Sequence, residues 1–151
     1  MSIKNLLPGK IGLGGAPLGN MFRAILEDEA HATVSEAWNL GVRYFDTAPL
    51  YGSGLSEIRI GEALSQYPRD EYVLSSKVGR IMLDEMEDPA KRDFGEKGGL
   101  FEHGLKKKIL NDYSADATLR SIEDSLKRLK TDRLDIVWIH GQLTSQPCLA
   151  L

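Results

Sequence analysis

The stretch that decides the fold is VRYFDTAPLYGSGLSE, residues 42–57. It begins with β-branched and aromatic residues, which are typical of a buried strand. It then passes into residues that favour turns, namely Asp46, Pro49, Gly52, Ser53 and Gly54. An acid at the tip of a strand, followed five residues later by the phenol of Tyr51, lies where α/β proteins place catalytic groups.

Two further polar residues stand at the ends of predicted strands. Lys77 follows the run YVLSS at 72–76, and His140 follows LDIVWI at 134–139. The second run is almost continuously apolar, which predicts a strand buried on both faces. Because the carboxyl ends of parallel strands meet at one edge, we predict a single proton-handling cluster of Asp46, Tyr51, Lys77 and His140.

The remaining elements alternate between strands and helices. We predict a first strand at 10–14, a helix from an Asp28 cap to a stop at Gly41, and a second helix at 57–66. An irregular segment at 79–113 precedes a helix capped by Ser114. The inward face of that helix is predicted to carry Ala117, Ile122, Leu126 and Leu129.

This order of elements predicts an α/β fold with parallel strands joined by right-handed crossovers. Four such strands form half of an eight-stranded barrel. An open four-stranded sheet with helices on both faces is the alternative from the pattern alone. The dinucleotide fingerprint G-x-G-x-x-G fails, because Pro17 stands where its third glycine belongs, and a Rossmann fold is therefore disfavoured.

Composition limits the partners and the location. The chain has 151 residues, a net charge of −3 and one cysteine. It gives no electrostatic reason to expect nucleic acid or a membrane, and we expect a cytoplasmic protein without disulfides. The three histidines show no ligand spacing, so no metal site is predicted.

The predicted cluster suits the interconversion of a carbonyl and an alcohol. A tyrosine phenol is a poor acid at neutral pH, and a neighbouring ammonium group favours the phenolate. An aspartate can hold that ammonium group, and a histidine can orient a substrate oxygen. No side chain donates hydride, so a cofactor must. On spacing alone, Asp46 and Lys77 could instead be surface or structural residues. The Tyr51 ring could simply pack under its loop, and His140 could be a strand-end histidine with satisfied hydrogen bonds.

Three motifs resemble the aldo-keto reductase family. They are GVRYFDTAPLYG at 41–52, SKVG at 76–79 and DIVWIH at 135–140. The resemblance covers residues 10–140 in order. The SKVGR motif with the segment after it is most similar to the branch containing D-threo-aldose (L-fucose) dehydrogenases and pyridoxal 4-dehydrogenase. The resemblance implies a partial (β/α)₈ TIM barrel of about four strands, with flanking helices.

The resemblance also implies an activity and residue roles. The activity is NAD- or NADP-dependent interconversion of an aldehyde, ketone or sugar hemiacetal with its alcohol or lactone. Tyr51 would be the general acid/base, tuned by Lys77 and Asp46, while His140 would orient the carbonyl. Cofactor contacts would come from Gly14, Gly15, Ala16 and Asp46. The 79–113 segment would face the substrate, with Leu50 and Arg80 near the pocket.

The resemblance ends at the histidine strand. In the family most cofactor contacts follow that strand, whereas here residues 141–151 form an irregular tail. We therefore expect residues 1–140 to be the N-terminal half of a barrel, weak or inactive alone and prone to self-associate through open sheet edges. Whether the chain is itself an enzyme stays open. The alternative is a non-enzymatic half-barrel that self-associates or pairs with another chain.

Overall fold

In the described part of the chain, the strands form a parallel sheet and an antiparallel hairpin. The computed structural model describes residues 6–86, 101 and 104–141. The elements in chain order are β1 (Leu13–Gly14), α1 (Glu27–Asn39), β2 (Tyr44–Asp46), α2 (Leu55–Leu64), β3 (Val73–Val78), β4 (Arg80–Met86), β5 (Lys107–Asn111), α3 (Ala115–Leu129) and β6 (Ile136–Ile139). Short 3₁₀ turns occupy Pro17–Gly19 and Arg69–Glu71.

The order of the sheet strands distinguishes the two predicted architectures. The sheet runs β1-β2-β3-β6, with every neighbouring pair parallel. Helices α1, α2 and α3 share one apolar core with the sheet face that carries Phe45 and Leu74. A doubly wound sheet would reverse its strand order and carry helices on both faces. The described residues therefore form part of a singly wound barrel, and the open-sheet alternative is wrong.

Helix α1 starts without the predicted side-chain cap. Its N-cap residue is Leu26, no side chain caps it, and Asp28 lies inside the first turn. That turn also contains Glu27 and Glu29, and acids there interact favourably with the positive end of the helix dipole. The predicted stop at Gly41 is confirmed. The helix ends at Asn39, and Gly41 follows with a φ of +87°, the left-handed conformation with which many helices end.

Helix α3 buries two of its four predicted residues, Ala117 and Leu129, together with two serines that the prediction did not include. Its Ser114 cap is confirmed, since the Ala117 amide donates to the serine hydroxyl over 3.3 Å. Ile122 and Leu126 are only half-buried, and the buried positions are Ala117, Ser121, Ser125 and Leu129. A Cβ at Gly61 of α2 would lie 2.6 Å from the Leu129 backbone. Helices this close leave room only for small side chains between them.

Strand β6 is not buried on both faces. Val137 and Trp138 are each 40% exposed, and Ile139 is 76% exposed. Among the described residues β6 pairs only with β3, so it is an edge strand of this sheet. The apolar run predicted the strand correctly, but burial of an edge depends on a neighbour that the run does not specify. Strand β1, at the other edge, is shorter than the predicted 10–14.

The 79–113 segment contains regular structure that composition did not predict. Strands β4 and β5 pair antiparallel, from Arg80 opposite Asn111 to Met86 opposite Lys107, with an irregularity between Met82 and Met86. The residues at 87–100 and 102–103, and the tail at 142–151, lie outside the described residues. No helix in the described part of the chain has the length and apolarity needed to span a bilayer.

Candidate active site

An ion pair between two neighbouring strands forms the base of the site. Asp46 ends β2, and Lys77 lies two residues beyond Ser75, the register partner of Asp46 on β3. The Lys77 ammonium group donates to Asp46 Oδ2 over 2.6 Å and to the Thr47 carbonyl over 2.9 Å. Both side chains are largely shielded from water. Hydrogen bonds between charged groups are stronger than neutral ones, so the position of the ammonium group is well fixed.

Tyr51 places its ring over that ammonium group. The Lys77 Nζ atom lies 4.9 Å from the centre of the Tyr51 ring, within the range of a cation–π contact. The Phe101 ring also stacks on the Tyr51 ring, with 5.6 Å between the two ring centres. The phenol is therefore held between charged and aromatic neighbours.

The loop that carries Tyr51 is held by close backbone packing. A Cβ at Gly19 would lie 2.5 Å from the Tyr51 carbonyl carbon, and a Cβ at Gly104 would lie 2.6 Å from Gly52 Cα. The Leu105 amide donates to the Gly52 carbonyl over 2.9 Å. Three backbone segments thus meet at this loop, and they can approach so closely because the contacting residues lack side chains.

His140 joins the cluster from β6. Its amide donates to the Val78 carbonyl over 2.9 Å, and its ring lies edge-on to Tyr51 with 6.0 Å between ring centres. Burial lowers the pKa of His140 to about 4, helped by the charges of Arg80 and Lys77 and opposed by Asp46. The imidazole is therefore neutral at pH 7. Its Nδ1 is buried and has no hydrogen-bond partner among the described residues.

The first loop lies beside Asp46, as the cofactor prediction requires. Gly15 donates to the Asp46 carbonyl over 2.7 Å, and its own carbonyl accepts from Ser56 Oγ. A Cβ at Gly15 would lie 2.6 Å from Ser56 Oγ, so packing against α2 explains this glycine. A Cβ at Gly14 would meet nothing within 4 Å. Gly14, the register partner of Asp46, therefore faces open space, and Ala16 is half-buried.

Arg80 and Leu50 were predicted to lie near the substrate. Arg80 is buried, donates to the Gly141 carbonyl over 3.2 Å, and influences the charge state of His140. It therefore belongs to the His140 side of the site. Leu50 is half-buried and precedes Tyr51 in the chain. Its contact with a substrate stays a prediction.

Several residues of the site escaped sequence reasoning. Ser75 lies on the same face of β3 as Lys77 and donates to Asp46 Oδ1 over 2.6 Å. The two-residue period of a strand could have identified it. The buried carboxylate of Glu57 accepts from Ser76 over 2.7 Å and from Arg128 over 2.6 Å. The Arg128 and Phe101 contacts join residues distant in sequence, and no local pattern predicts such pairs.

Comparisons with known proteins identify the family of the chain. The model of the aldo/keto reductase family matches residues 10–150. A D-threo-aldose 1-dehydrogenase from a Pseudomonas species is 41% identical over 86% of this chain, which spans 39% of that protein. A pyridoxal 4-dehydrogenase from Microbacterium luteolum is 36% identical over 89% of this chain and 40% of its own length.

A solved structure also matches most of this chain and a smaller share of its own length. An aldo-keto reductase from Klebsiella pneumoniae in complex with NADPH matches 87% of this chain and 36% of its own length. Its TM-score is 0.58 and its identity is 27%. The chain therefore spans about two-fifths of the length of these relatives. Its sequence, its strand order and its family match agree, and the chain belongs to the aldo/keto reductase family.

Proposed function

We propose that this cluster transfers protons in an NAD- or NADP-dependent oxidoreductase that interconverts an aldehyde, ketone or sugar hemiacetal with its alcohol or lactone. The observation that carries the proposal is the convergence of four chemically complementary groups from three strand ends. Lys77 contacts the Asp46 carboxylate and the Tyr51 ring, while His140 contacts the same ring edge-on. A phenol beside an ammonium group is suited to exchange a proton with a substrate oxygen.

Each side chain has a distinct role in this proposal. Tyr51 gives a proton to the carbonyl oxygen during reduction and takes the hydroxyl proton during oxidation. Lys77, held by Asp46, provides a fixed positive charge that stabilises the phenolate. The neutral imidazole of His140 can donate a hydrogen bond to the same substrate oxygen and orient it. The neutral form adds no second positive charge beside Lys77.

One observation supports the binding of NAD or NADP at this site. The open space at Gly14, beside Asp46 at the strand ends, leaves room for a planar ring to approach the backbone. Gly14, Gly15, Ala16 and Asp46 would contact the nicotinamide end of NAD or NADP. When bound, that cofactor supplies or accepts the hydride.

The names of the relatives support the choice of substrate class. The Pseudomonas protein is named for an aldose and the Microbacterium protein for pyridoxal. Both substrates are small polar carbonyl compounds or their hemiacetals, and we propose this class for the present site. Phe101, which lies between β4 and β5 in the sequence, would form one wall, because its ring stacks on that of Tyr51. The proposed location is the cytoplasm, which the single cysteine supports.

A chimeric enzyme tests the proposal. The segment of the Pseudomonas relative that matches this chain is replaced by the corresponding residues of this chain, and aldose-dependent reduction of NAD and NADP is measured. We expect turnover that Tyr51→Phe lowers by roughly 10²–10⁴-fold. Tyr67→Phe is the matched control, because Tyr67 stacks on Trp38 in the core instead. A folded chimera whose turnover is unaffected by Tyr51→Phe would refute the proposal.

The exposed edge of β6 favours a second candidate function, a half-barrel that self-associates. Val137, Trp138 and Ile139 present apolar surface at an edge where a strand can pair. The molar mass of the purified chain, measured by light scattering, tests this candidate. A discrete dimer that Ile139→Lys dissociates supports it, and a stable monomer contradicts it.

A further inference from the structure

A line of hydrogen bonds crosses the sheet and ends on Asp46. Ser75 donates its only hydroxyl proton to Asp46 Oδ1 over 2.6 Å. The 3.1 Å contact between the Tyr44 and Ser75 hydroxyls must then use the Tyr44 proton, because that of Ser75 is engaged. The Tyr44 oxygen accepts in turn from the indole N–H of Trp138 over 3.4 Å. Each hydrogen bond in this line is therefore donated in the direction of the Asp46 carboxylate.

The line connects three strands on the face opposite the helices. Tyr44 and Asp46 lie two residues apart on β2, and Ser75 is the register partner of Asp46 on β3. Trp138 lies on β6, beyond β3, so its indole reaches across a strand to meet Tyr44. Since alternate residues of a strand share a face, these side chains share the face of Lys77. The aromatic pair thus links the edge strand to the base of the site.

Each oxygen of the Asp46 carboxylate has its own partner. Oδ1 accepts from Ser75, and Oδ2 accepts from the Lys77 ammonium group. A carboxylate held at only one oxygen can rotate about its side-chain bonds, whereas two anchored oxygens fix its plane. The bond from Ser75 therefore helps to fix Lys77 beneath the Tyr51 ring, together with the bond from Lys77 to the Thr47 carbonyl.

We propose that Ser75, Tyr44 and Trp138 are positioning residues for the Asp46–Lys77 pair. Their role deepens the proposed proton transfer at this site and rests on it. Ser75 fixes the carboxylate directly. Tyr44 orients the Ser75 hydroxyl by occupying its acceptor site, and Trp138 orients the Tyr44 hydroxyl in the same way. The influence on Lys77 therefore decreases along the line from Ser75 to Trp138.

Ser76 provides a matched control for a merely structural role. It is the next residue of β3, it is equally buried, and it also donates to a carboxylate over 2.7 Å. Its acceptor is Glu57, on the helical side of the sheet. If the serines of β3 only stabilise the strand, removal of either hydroxyl should have the same effect on Lys77.

The test measures how fast a lysine reagent acetylates Lys77 in the full 151-residue chain, with mass spectrometry to separate the lysines. We expect Ser75→Ala to raise the rate at Lys77 by roughly fivefold, equivalent to about 1 kcal/mol of lost hydrogen bonding. Tyr44→Phe should raise it less, and Ser76→Ala should leave it unchanged. Ser75→Thr keeps the hydroxyl and should restore the wild-type rate.

A second readout follows the other end of the line. The indole N–H signal of Trp138 in a ¹⁵N-correlated NMR spectrum should move upfield in Tyr44→Phe and stay in place in Ser76→Ala. Equal rates of Lys77 acetylation in Ser75→Ala and Ser76→Ala would overturn the proposal. An indole N–H signal of Trp138 that does not shift in Tyr44→Phe would also overturn it. If Ser75→Ala does not fold, Tyr44→Phe supplies both readouts. Neither readout needs turnover, so the result is independent of the proposed activity.

Discussion

The charge state of one imidazole is the most distinctive property of the site at the scale of single residues. His140 is half-buried, and its pKa is lowered to about 4 by that burial and by the charges of Arg80 and Lys77. A histidine near Lys77 that stayed protonated would compete with the ammonium group for the carboxylate and the phenol. Partial burial of the ring avoids that competition because it favours the neutral imidazole.

The lowered pKa of His140 predicts a pH dependence of stability. Between pH 6.5 and 4 the unfolded chain binds a proton at this residue that the folded chain does not bind. The stabilising contribution is therefore complete above pH 6.5 and is lost as the pH falls toward 4. An NMR titration of the His140 Hε1 signal should give a midpoint well below 6.5. A midpoint at the ordinary histidine value would contradict the account, and His140→Gln should flatten the dependence on pH in urea unfolding.

At the scale of elements, the sequence predicted the positions of polar groups better than it predicted burial. Asp46, Lys77 and His140 were located because each ends a recognisable strand, and strand ends share an edge in any parallel sheet. The hairpin was missed because its two arms pair across a long segment rich in glycine and charge. The exposure of Ile139 and the packing of Ser121 depend on neighbouring elements, and a strand or helix pattern alone does not specify those.

The loop that carries Tyr51 provides a prediction at this scale. Gly52 has a φ of +66°, and a Cβ there would overlap the Gly19 carbonyl. Gly41 also has a positive φ, but a Cβ there meets nothing within 4 Å. We expect Gly41→Ala to lower the free energy of unfolding by about 1 kcal/mol through backbone strain alone. Gly52→Ala should cost more, because it also separates the two loops.

Urea unfolding of both variants measures the difference. Equal losses would show that close packing of the loops contributes nothing beyond the backbone conformation. In that case the account of how Tyr51 is held in place would be wrong.

At the scale of the whole molecule, one buried ion pair links helices α2 and α3 to β3, the strand that carries Lys77. Glu57 of α2 is fully buried and binds both Ser76 of β3 and Arg128 of α3. We predict that Arg128→Met lowers the free energy of unfolding by about 3–5 kcal/mol, because it leaves an unpaired buried carboxylate. Lys127→Met is the control, since Lys127 is exposed and its ion pair within the described part of the chain is with Asp124 alone. Similar losses in the two variants would contradict this role of Glu57.

The central claim is that side chains from separate strands act as one proton-transferring unit, and a double-mutant cycle tests it most directly. The measured quantity is kcat for aldose oxidation by the chimeric enzyme, with Tyr51→Phe, Lys77→Met and the two changes combined. Residues that act as a unit lose their function together. We therefore predict that the double variant is no slower than the slower single variant. If the two losses multiply instead, Tyr51 and Lys77 act independently and the claim is wrong.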